Sequence, residues 1–428
     1  MTAQSAADLL PAARALGPSL AERGDRIEAE RTLPDDVVAD LRDVGLFRLL
    51  TPTDLGGPEA DVATTSDVIA EVARHDGAAA WCVMIAGTTS LQAGFLPTDV
   101  AAEIFGSPDS IAGGYAAPVG SATPVDGGLR VTGTWAWGSG TRHCNWIGGG
   151  TRIVGPDGKP TRRDDGLYAP FVFFDRDDVE HLDTWHVTGL SGSGSADYRV
   201  EDAFVPEGRW IQMMDATPRL DGPIWRFPFY GMLAIGIASV SIGLLDGAVD
   251  RFTELATAKK PEGSGRTLAE RSSGQTALSV AEATARSTRA FLHDVIGEAW
   301  NTAAAGDPLT IEHRRSLRLA ACDGAQRCTD AITALGREAG GAAEGLRLHR
   351  LGRGIGIGPD RLGAVGAVKA HLHRIAERII LAHRRCARAG MDEAEMVIFL
   401  EIVVGELPVG VDLIDIFGEG GGLCRREA

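Results

Sequence analysis

Apolar residues recur with a helical period over the first quarter of the chain. In the segment LPDDVVADLRDVGLFRLL, residues 33–50, four apolar positions share one helix face: Val37, Val38, Leu41 and Val44. The segment TTSDVIAEVARHDGAAAWCVMIAG, residues 64–87, repeats this pattern after a turn-like stretch, TPTDLGGPEAD. Apolar positions three and four residues apart place one face of a helix in a core. We therefore predict an N-terminal α-helical domain over residues 1–112.

The pattern changes to alternation of apolar and polar residues in the middle of the chain. Short runs such as GGLRVTGTWAWGSG, LYAPFVFFD and YRVEDAFVP are rich in Gly, Val and aromatic residues and are separated by VDGG and GPDG. Period-two alternation between Gly-containing turns is typical of antiparallel strands. The sequence predicts a central domain over residues 113–215, folded as a compact barrel or sandwich.

Helical patterning returns over residues 216–428, with three long segments that carry many small residues. The first contains YGMLAIGIASVSIGLLDGAV, residues 230–249, which is long enough to be mistaken for a membrane span. Its serines, its aspartate and its small residues favour a helix buried in a bundle. The fold class that these three segments predict is α+β, with a helical bundle after the sheet.

Composition narrows the possible partners. The 428-residue chain has a formal net charge of −16, which provides no general positive field for nucleic acid. The N-terminal residues lack a basic region followed by an apolar run, so we predict no secretory signal, no membrane anchor and a cytoplasmic location. Six cysteines are scattered without C-x-x-C or zinc-ligand spacing, which predicts reduced thiols and no metal.

Several catalytic motifs are missing from the sequence. No G-x-G-x-x-G opens a helix after a strand, and GRGIGIGPDRLG follows a predicted helix with the wrong spacing. The sequence also lacks the G-x-x-x-x-G-K-[ST], H-E-x-x-H and G-x-S-x-G patterns. A nicotinamide dinucleotide domain, nucleotide hydrolysis and serine-triad chemistry therefore lose support.

Two stretches of the central segment are dense in polar and aromatic residues. GTWAWGSGTRHCNW, residues 133–146, places Trp135 and Trp137 two apart on one face of a strand, before a hydroxyl-rich turn. This predicts either a hairpin end over a core or a platform for a flat polar ring. TWHVTGLSGSGSADYRVEDAFVP, residues 184–206, offers hydroxyls and backbone N–H groups without bulk, which suits a phosphate or a ring edge as well as a flexible turn.

Taken together, these stretches resemble the acyl-CoA dehydrogenase fold and the flavin-dependent monooxygenases built on it. LRDVGLFRLLTPTDLGGPEAD is similar to the family's GL…PxxxGG segment, and WAWGSGTRHCNW is similar to its aromatic-x-SG strand. WHVTGLSGSGSADYRVEDAFVP resembles the long signature W-x-x-x-GL-x-G-[ST]-GS-x-D…V-x-D-x-FVP. The resemblance extends in order from about residue 30 to residue 342.

The resemblance implies an N-terminal helical domain, a central antiparallel β-barrel and a C-terminal four-helix bundle, assembled as a homotetramer. Trp135 and Trp137 would form the wall of a flavin site, and Ser139 would lie near the reactive edge of the ring. Further flavin contacts, some of them to a partner subunit's flavin, would be Ser191, Ser193, Ser195, Arg266, Gln275, Gly340 and Gly341. The substrate pocket would include Trp81, Thr88, His143 and Cys144, although packing alone also accounts for Trp81, His143 and Cys144.

Two enzymatic functions and one non-catalytic function remain compatible with the sequence. In the monooxygenase branch, FMN or FAD reduced by a separate NAD(P)H-dependent reductase reacts with O₂ at C4a and oxygenates a small aromatic or heteroatom-bearing substrate. The S-G-S-G-S signature and the SGT after the tryptophans favour this branch. The alternatives are an FAD-containing acyl-CoA dehydrogenase and a binding or assembly subunit without catalysis.

The sequence departs from both enzyme branches from about residue 343. The Arg-Asp pair followed by a histidine, which is typical of the monooxygenases, is missing, and either divergence or a shifted reading frame explains the difference. His371 and His373 lie near the expected position of that histidine. His373 and Glu377 form an i, i+4 pair, which suits either an acid–base site or a solvated helix face.

Overall fold

The computed structural model describes residues 5–212 and 216–340, all of which belong to one compact unit. The N-terminal part is helical, and its five α-helices are α1 Ala6–Glu30, α2 Asp35–Asp43, α3 Val62–His75, α4 Gly77–Ser90 and α5 Thr98–Phe105. Aspartate side chains cap the N-termini of α3 and α4. Asp61 accepts a hydrogen bond from Thr64 N, and Asp76 accepts one from Ala79 N, both at 2.8 Å. These caps satisfy amide groups that the first helical turn leaves without partners.

Helix α4 lies in the interior of the unit, since most of its residues are buried on every side. Its sequence, GAAAWCVMIAGTTS, has no polar face, as expected of a core helix. It packs between α3 and the first helix of the C-terminal bundle, and it also contacts the central sheet. This position makes α4 the helix that connects all three parts of the fold.

The central part forms one seven-stranded sheet. Its strands are β1 Ala112–Val125, β2 Gly128–Trp135, β3 Trp146–Ile153, β4 Phe171–Asp175, β5 Glu180–His181, β6 Tyr198–Pro206 and β7 Trp210–Ile211. The order across the sheet is β5-β6-β2-β1-β3-β4-β7. β1 and β3 run parallel, and every other neighbouring pair runs antiparallel.

The sheet therefore corrects the predicted antiparallel barrel, because in the described residues it is open and mixed. After the β1–β2 hairpin, the chain crosses to the far side of β1 before β3 begins, which makes β1 and β3 parallel. Alternation of apolar and polar residues reports which face of a strand is buried. It carries no information on the direction of the neighbouring strand, so the crossover was not predicted.

Three long helices form the described C-terminal part: α6 Phe229–Ala258, α7 Ser272–Ala304 and α8 Ile311–Ala339. Among the described helices, α6 alone is long and apolar enough to cross a membrane, and 72% of its most apolar window is buried within the protein. The interpretation of α6 as a buried bundle helix agrees with this burial. The fourth helix that the resemblance implies lies outside the described residues.

Small residues allow α6 to approach its neighbours closely. A Cβ atom added to Gly243 would lie 2.0 Å from the carbonyl oxygen of Ala70 on α3. Ser239 of α6 and Ser66 of α3 share a hydrogen bond of 2.7 Å in the same buried interface. Helices, sheet and bundle contribute to one continuous hydrophobic cluster, so the described parts of the three predicted segments belong to a single unit.

Candidate functional site

The turn that follows β2 is fixed against the loop that precedes β6. Gly138 N donates to Ala196 O, and Gly140 N donates to Ser193 O, both at 2.9 Å. Gly140 has a φ of 71°, a left-handed conformation that glycine adopts without strain. The structure thus brings together the two polar segments that the sequence identified, residues 133–146 and 184–206.

Three serine hydroxyls and one indole form a continuous chain between these segments. Trp81 Nε1 on α4 donates to Ser139 Oγ at 2.9 Å. Ser139 Oγ lies 2.6 Å from Ser195 Oγ, which lies 2.7 Å from Ser193 Oγ. All three serines are buried, with Ser139 6% and Ser193 1% exposed, whereas Trp81 is partly exposed. We call these four residues the hydroxyl chain.

Trp137 lies beside Ser139 and leaves most of its indole in solvent. Its side chain is 60% exposed and meets the edge of the Tyr115 ring, with 6.0 Å between the ring centroids. Its φ of 59° is uncommon for a residue with a side chain. Large exposed aromatic side chains next to buried polar groups are typical of ligand sites.

Trp135 does not share this position, and its predicted place in a flavin wall stays a prediction. It is fully buried, stacks on Tyr198 with 5.4 Å between ring centroids, and donates from Nε1 to Gly150 O at 2.8 Å. β2 ends at Trp135, and the left-handed backbone at Trp137 interrupts the strand. Residues two apart share a face only while the strand continues, so the two indoles diverge.

The loop before β6 uses its three serine hydroxyls within the protein. Ser191 Oγ donates to Glu28 O of α1 at 3.2 Å, while Ser193 and Ser195 belong to the hydroxyl chain. All three serines are buried. Direct hydroxyl contacts from these residues to a cofactor stay a prediction. In the described structure Ser191 holds the loop on α1, and the hydroxyls of Ser193 and Ser195 pair with each other and with Ser139.

His143 and Cys144 lie beneath the Ser139 turn and carry no charge at neutral pH. Burial, followed by the charge of Arg176, lowers the pKa of His143 to about 4. Its ring packs near Phe47, and its buried Nδ1 has no hydrogen-bond partner within the described structure. Cys144 Sγ donates to Gly140 O at 3.3 Å, and burial raises its pKa to about 12. Cys144 therefore supports the turn as a neutral thiol.

Of the two pocket residues predicted on α4, only Trp81 belongs to the hydroxyl chain. Thr88 is buried, and its Oγ1 donates to Met84 O at 2.8 Å within the same helix. Trp81 is partly exposed and one helical turn from Ile85, which is also partly exposed. The accessible face of α4 near Ser139 is thus aromatic and aliphatic.

The remaining described candidates lie at one end of the helical bundle. Arg266 is exposed on the connection between α6 and α7, and Gln275 Nε2 donates to Ala269 O at 2.8 Å. Gly340 ends α8 beside Lys259, the residue that follows α6. None of the described contacts of these three residues reaches the hydroxyl chain. Gly341, His371 and His373 lie outside the described residues and stay predictions.

Sequence reasoning missed Tyr115 and Tyr198. The Tyr198 hydroxyl accepts a hydrogen bond from Tyr115 N at 2.9 Å and donates to Gly148 O, and burial raises its pKa. These contacts join β1, β3 and β6, which are distant in sequence, so local patterning gives no signal for them. In the part of the chain that the structure describes, no group of three metal-ligating side chains occurs.

The residues around Ser139 fit a flat, polar ring system. Trp137 and Tyr115 offer aromatic surface, Ser139 offers one hydroxyl at the edge of that surface, and the groups beneath it are neutral. The buried His143 and Cys144 offer no charge to a phosphate or a metal ion, whereas aromatic surface with a hydroxyl at its edge suits an isoalloxazine ring. The site therefore fits the ring portion of a flavin.

Comparisons with known proteins support the same interpretation. The family descriptions "Acyl-CoA dehydrogenase, N-terminal domain" and "Acyl-CoA dehydrogenase, C-terminal domain" match residues 12–96 and 235–358. Indole-3-acetate monooxygenase of Pseudomonas putida is 31% identical over 320 residues, which cover 74% of this chain and 80% of that protein.

Solved structures agree with these sequence matches. The HsaA monooxygenase from M. tuberculosis has a TM-score of 0.74 and 26% identity, over 82% of this chain and 91% of that chain. XiaF from Streptomyces sp., solved in complex with FADH2 and glycerol, has a TM-score of 0.75 and 25% identity, over 82% and 89% of the two chains.

Proposed function

The chain belongs to the acyl-CoA dehydrogenase family, in its flavin-dependent monooxygenase branch, and on this premise we propose how its residues serve that activity. It is an oxygenase component that uses reduced flavin and O₂ to oxygenate a small molecule. Oxygenase components of this kind imply a separate flavin reductase. We propose that this reductase uses NAD(P)H and delivers reduced FMN or FAD.

One observation carries the assignment of the site. The exposed indole of Trp137 lies beside the hydroxyl of Ser139, which Trp81 and Ser195 hold from two sides. In our proposal, Trp137 packs against the flavin ring and Ser139 forms a hydrogen bond at the ring's reactive edge. Reduced flavin, when bound, activates O₂ and supplies the oxygen atom that the substrate receives.

The protein's own residues orient the cofactor, and the buried groups beneath the Ser139 turn carry no charge. Trp81 and Ser195 fix the Ser139 hydroxyl, and α4 covers one side of the site with apolar side chains. His143, Cys144 and Cys82 beneath the turn stay neutral at pH 7, because burial disfavours their charged forms. The low local dielectric constant around these buried groups strengthens the hydrogen bonds of the hydroxyl chain.

The substrate that we propose is a small aromatic or heteroatom-bearing molecule. The accessible surface beside Ser139 is formed by Trp81, Ile85, Tyr115 and Trp137, and it carries no charged side chain among them. Aromatic and aliphatic walls bind a planar apolar ring through buried area. The Pseudomonas putida relative is named for indole-3-acetate, whose indole ring is planar and aromatic.

We further propose a homotetramer with a four-helix bundle in each subunit. Arg266 and Gln275 support this assembly, because both are exposed at the end of the bundle. Their described contacts do not reach the hydroxyl chain of their own subunit. From there, Arg266 is available to a partner subunit's flavin. His371 and His373 stay the proposed acid–base candidates, to be tested by Ala substitution of each.

Rapid mixing tests the proposed function. The protein is combined anaerobically with reduced FMN, and separately with reduced FAD, then mixed with oxygenated buffer while absorbance is recorded. We expect a transient absorbing species that outlives the oxidation of free reduced flavin, and we expect Ser139→Ala to shorten its lifetime by roughly tenfold or more.

Thr141→Val is the matched control for Ser139→Ala. Thr141 lies in the same turn and is buried, but its Oγ1 donates to Gly138 O, away from the hydroxyl chain. Its substitution should leave the lifetime unchanged. Oxidation at the free-flavin rate with both flavins would contradict the oxygenase assignment. Anaerobic bleaching of bound FAD by an acyl-CoA thioester would instead support a dehydrogenase.

A further inference from the structure

The protons of the hydroxyl chain point in one direction, and a count of donors and acceptors determines which. An indole N–H only donates, whereas each serine hydroxyl has one proton to donate and lone pairs that accept. Trp81 therefore donates to Ser139, and the oxygen of Ser139 is the acceptor in that contact. Ser139 keeps one proton, which points either to Ser195 or out of the chain.

The inner end of the chain decides between these two directions. Within the described structure, the hydroxyl of Ser193 has a single partner, the hydroxyl of Ser195. If Ser139 donated inward to Ser195, one buried proton would remain unpaired: that of Ser193 if Ser195 donated onward, or that of Ser195 if Ser193 also donated to it. An unpaired buried donor disfavours that arrangement by roughly tenfold or more.

We infer that protons point outward along the chain, from Ser193 to Ser195 to Ser139, so that Ser139 is an obligatory hydrogen-bond donor toward the bound cofactor. Ser139 then accepts from both Trp81 and Ser195, and no protein acceptor remains for its own proton. Ser193, Ser195 and Trp81 are positioning residues that act through Ser139. The inference rests on the proposed function, which places the flavin edge beside Ser139.

Accepting two hydrogen bonds also strengthens the donation by Ser139. Hydrogen bonds in a chain polarise one another, and the effect is larger in a site with a low local dielectric constant. Ser195 and Ser193 are buried, so their hydroxyls bond to each other and to Ser139 in place of water. Loss of the Ser195 hydroxyl should therefore weaken the hydrogen bond that Ser139 donates to the bound cofactor.

The redox state of flavin reports the direction of the chain. The N5 nitrogen at the reactive edge of oxidised flavin carries a lone pair and accepts, whereas in reduced flavin the same nitrogen carries a proton and donates. A donor at Ser139 stabilises bound oxidised flavin relative to reduced flavin. An acceptor at the same position would have the opposite effect, so the sign of the change distinguishes the two directions.

Anaerobic titration of Ser195→Ala with oxidised and reduced FMN tests the inference. We expect the dissociation constant of oxidised FMN to rise by about twofold to tenfold more than that of reduced FMN. A tenfold change corresponds to an upward shift of about 30 mV in the midpoint potential of the bound two-electron couple. Ser193→Ala should also raise the ratio of the dissociation constant of oxidised FMN to that of reduced FMN, but by a smaller factor, because Ser195 still donates to Ser139.

Two controls separate this effect from local disturbance. Thr141→Val removes a buried hydroxyl from the same turn and should leave the ratio unchanged. In a double-mutant cycle, Ser195→Ala should have no effect on the ratio when Ser139 is already Ala, because it acts through Ser139. An unchanged or lowered ratio of dissociation constants in both Ser195→Ala and Ser193→Ala would overturn the outward direction. If the wild-type chain bound neither redox state of FMN or FAD, the proposed function itself would fail.

Discussion

At the end of β2, Trp135 lies wholly inside the core, while Trp137 leaves most of its side chain in solvent. Trp135 gains from buried area, from stacking on Tyr198 and from its hydrogen bond to Gly150 O. Trp137 contributes little to folding, because its indole contacts mainly Tyr115. Its exposed indole is available to a ligand, which agrees with the flavin contact that we propose for it.

The same substitution at the two positions should therefore affect different properties, stability at Trp135 and flavin binding at Trp137. Trp135→Phe is expected to lower the free energy of unfolding by about 1 to 3 kcal/mol, through the lost hydrogen bond and the cavity. Trp137→Phe should change it by less than about 0.5 kcal/mol but weaken flavin binding. Urea denaturation followed by circular dichroism measures the first effect, and flavin titration measures the second. Equal stability of the two variants would contradict the assignment.

The sequence identified some residues of the site correctly in position but not in role. The Trp-x-Ser-Gly turn and the serine-rich loop were recognised as segments, and the structure brings them together. The predicted common face of Trp135 and Trp137 was wrong because alternation holds only in an extended strand, and the left-handed φ at Trp137 has no signal in the sequence. The partner of each serine depends on contacts across the fold, such as Ser191 with Glu28, which local patterns do not contain.

At the scale of elements, α6 is packed so closely against α3 that its Gly243 has a different role from Gly297 of α7. A Cβ atom at Gly243 would clash with the backbone of α3, whereas a Cβ atom at Gly297 of α7 has no atom within 4 Å. Both glycines lie inside long helices. Glycine within a helix is unfavourable unless close packing requires it.

Alanine substitution of these two glycines should separate packing from helix propensity. Gly243→Ala is expected to destabilise the protein by about 1 to 3 kcal/mol, because α3 and α6 must separate. Gly297→Ala should stabilise it by about 0.5 to 1 kcal/mol. Thermal unfolding of both variants measures the difference, and a stabilised Gly243→Ala would refute the close contact of α3 with α6.

An ion pair between α7 and α3 gives the helical part a pH dependence. His293 Nε2 donates to Asp67 Oδ1 at 2.9 Å, and this hydrogen bond raises the pKa of His293 above its ordinary value of 6.5. The stabilisation is complete below about pH 6.5, the pKa of histidine in the unfolded chain, and disappears as the pH rises through the raised pKa. Both side chains are about one-third exposed, so we expect no more than about 1 kcal/mol.

Substitution of His293 by Gln isolates this contribution. The free energy of unfolding, measured in urea at pH 5.5 and pH 8.5, should fall with rising pH by more in the wild type than in His293→Gln. Other titrating groups are common to both proteins and cancel in the comparison. Parallel pH profiles would show that the pair contributes nothing to stability.

For the whole molecule, periodicity predicted the order of helical, strand and helical segments, and the observed elements follow that order. The direction of β3 beside β1 was not predictable, since it depends on a crossover between distant strands. The number of subunits is likewise not encoded in local patterns. If the proposed homotetramer forms, light scattering should give a mass of about four chains of 45.0 kDa. A monomeric mass with intact flavin binding would show that no partner subunit is needed.

The apolar character of α6 has a consequence for how the protein is made. Helix α3 precedes α6 in the chain, but α8, which covers another side of α6, ends about 80 residues later. At ordinary speeds of translation, the ribosome needs roughly 4 to 16 seconds to add those residues. During that interval a segment apolar enough to enter a bilayer is only partly covered, so the nascent chain is a natural client for chaperones that shield apolar helices.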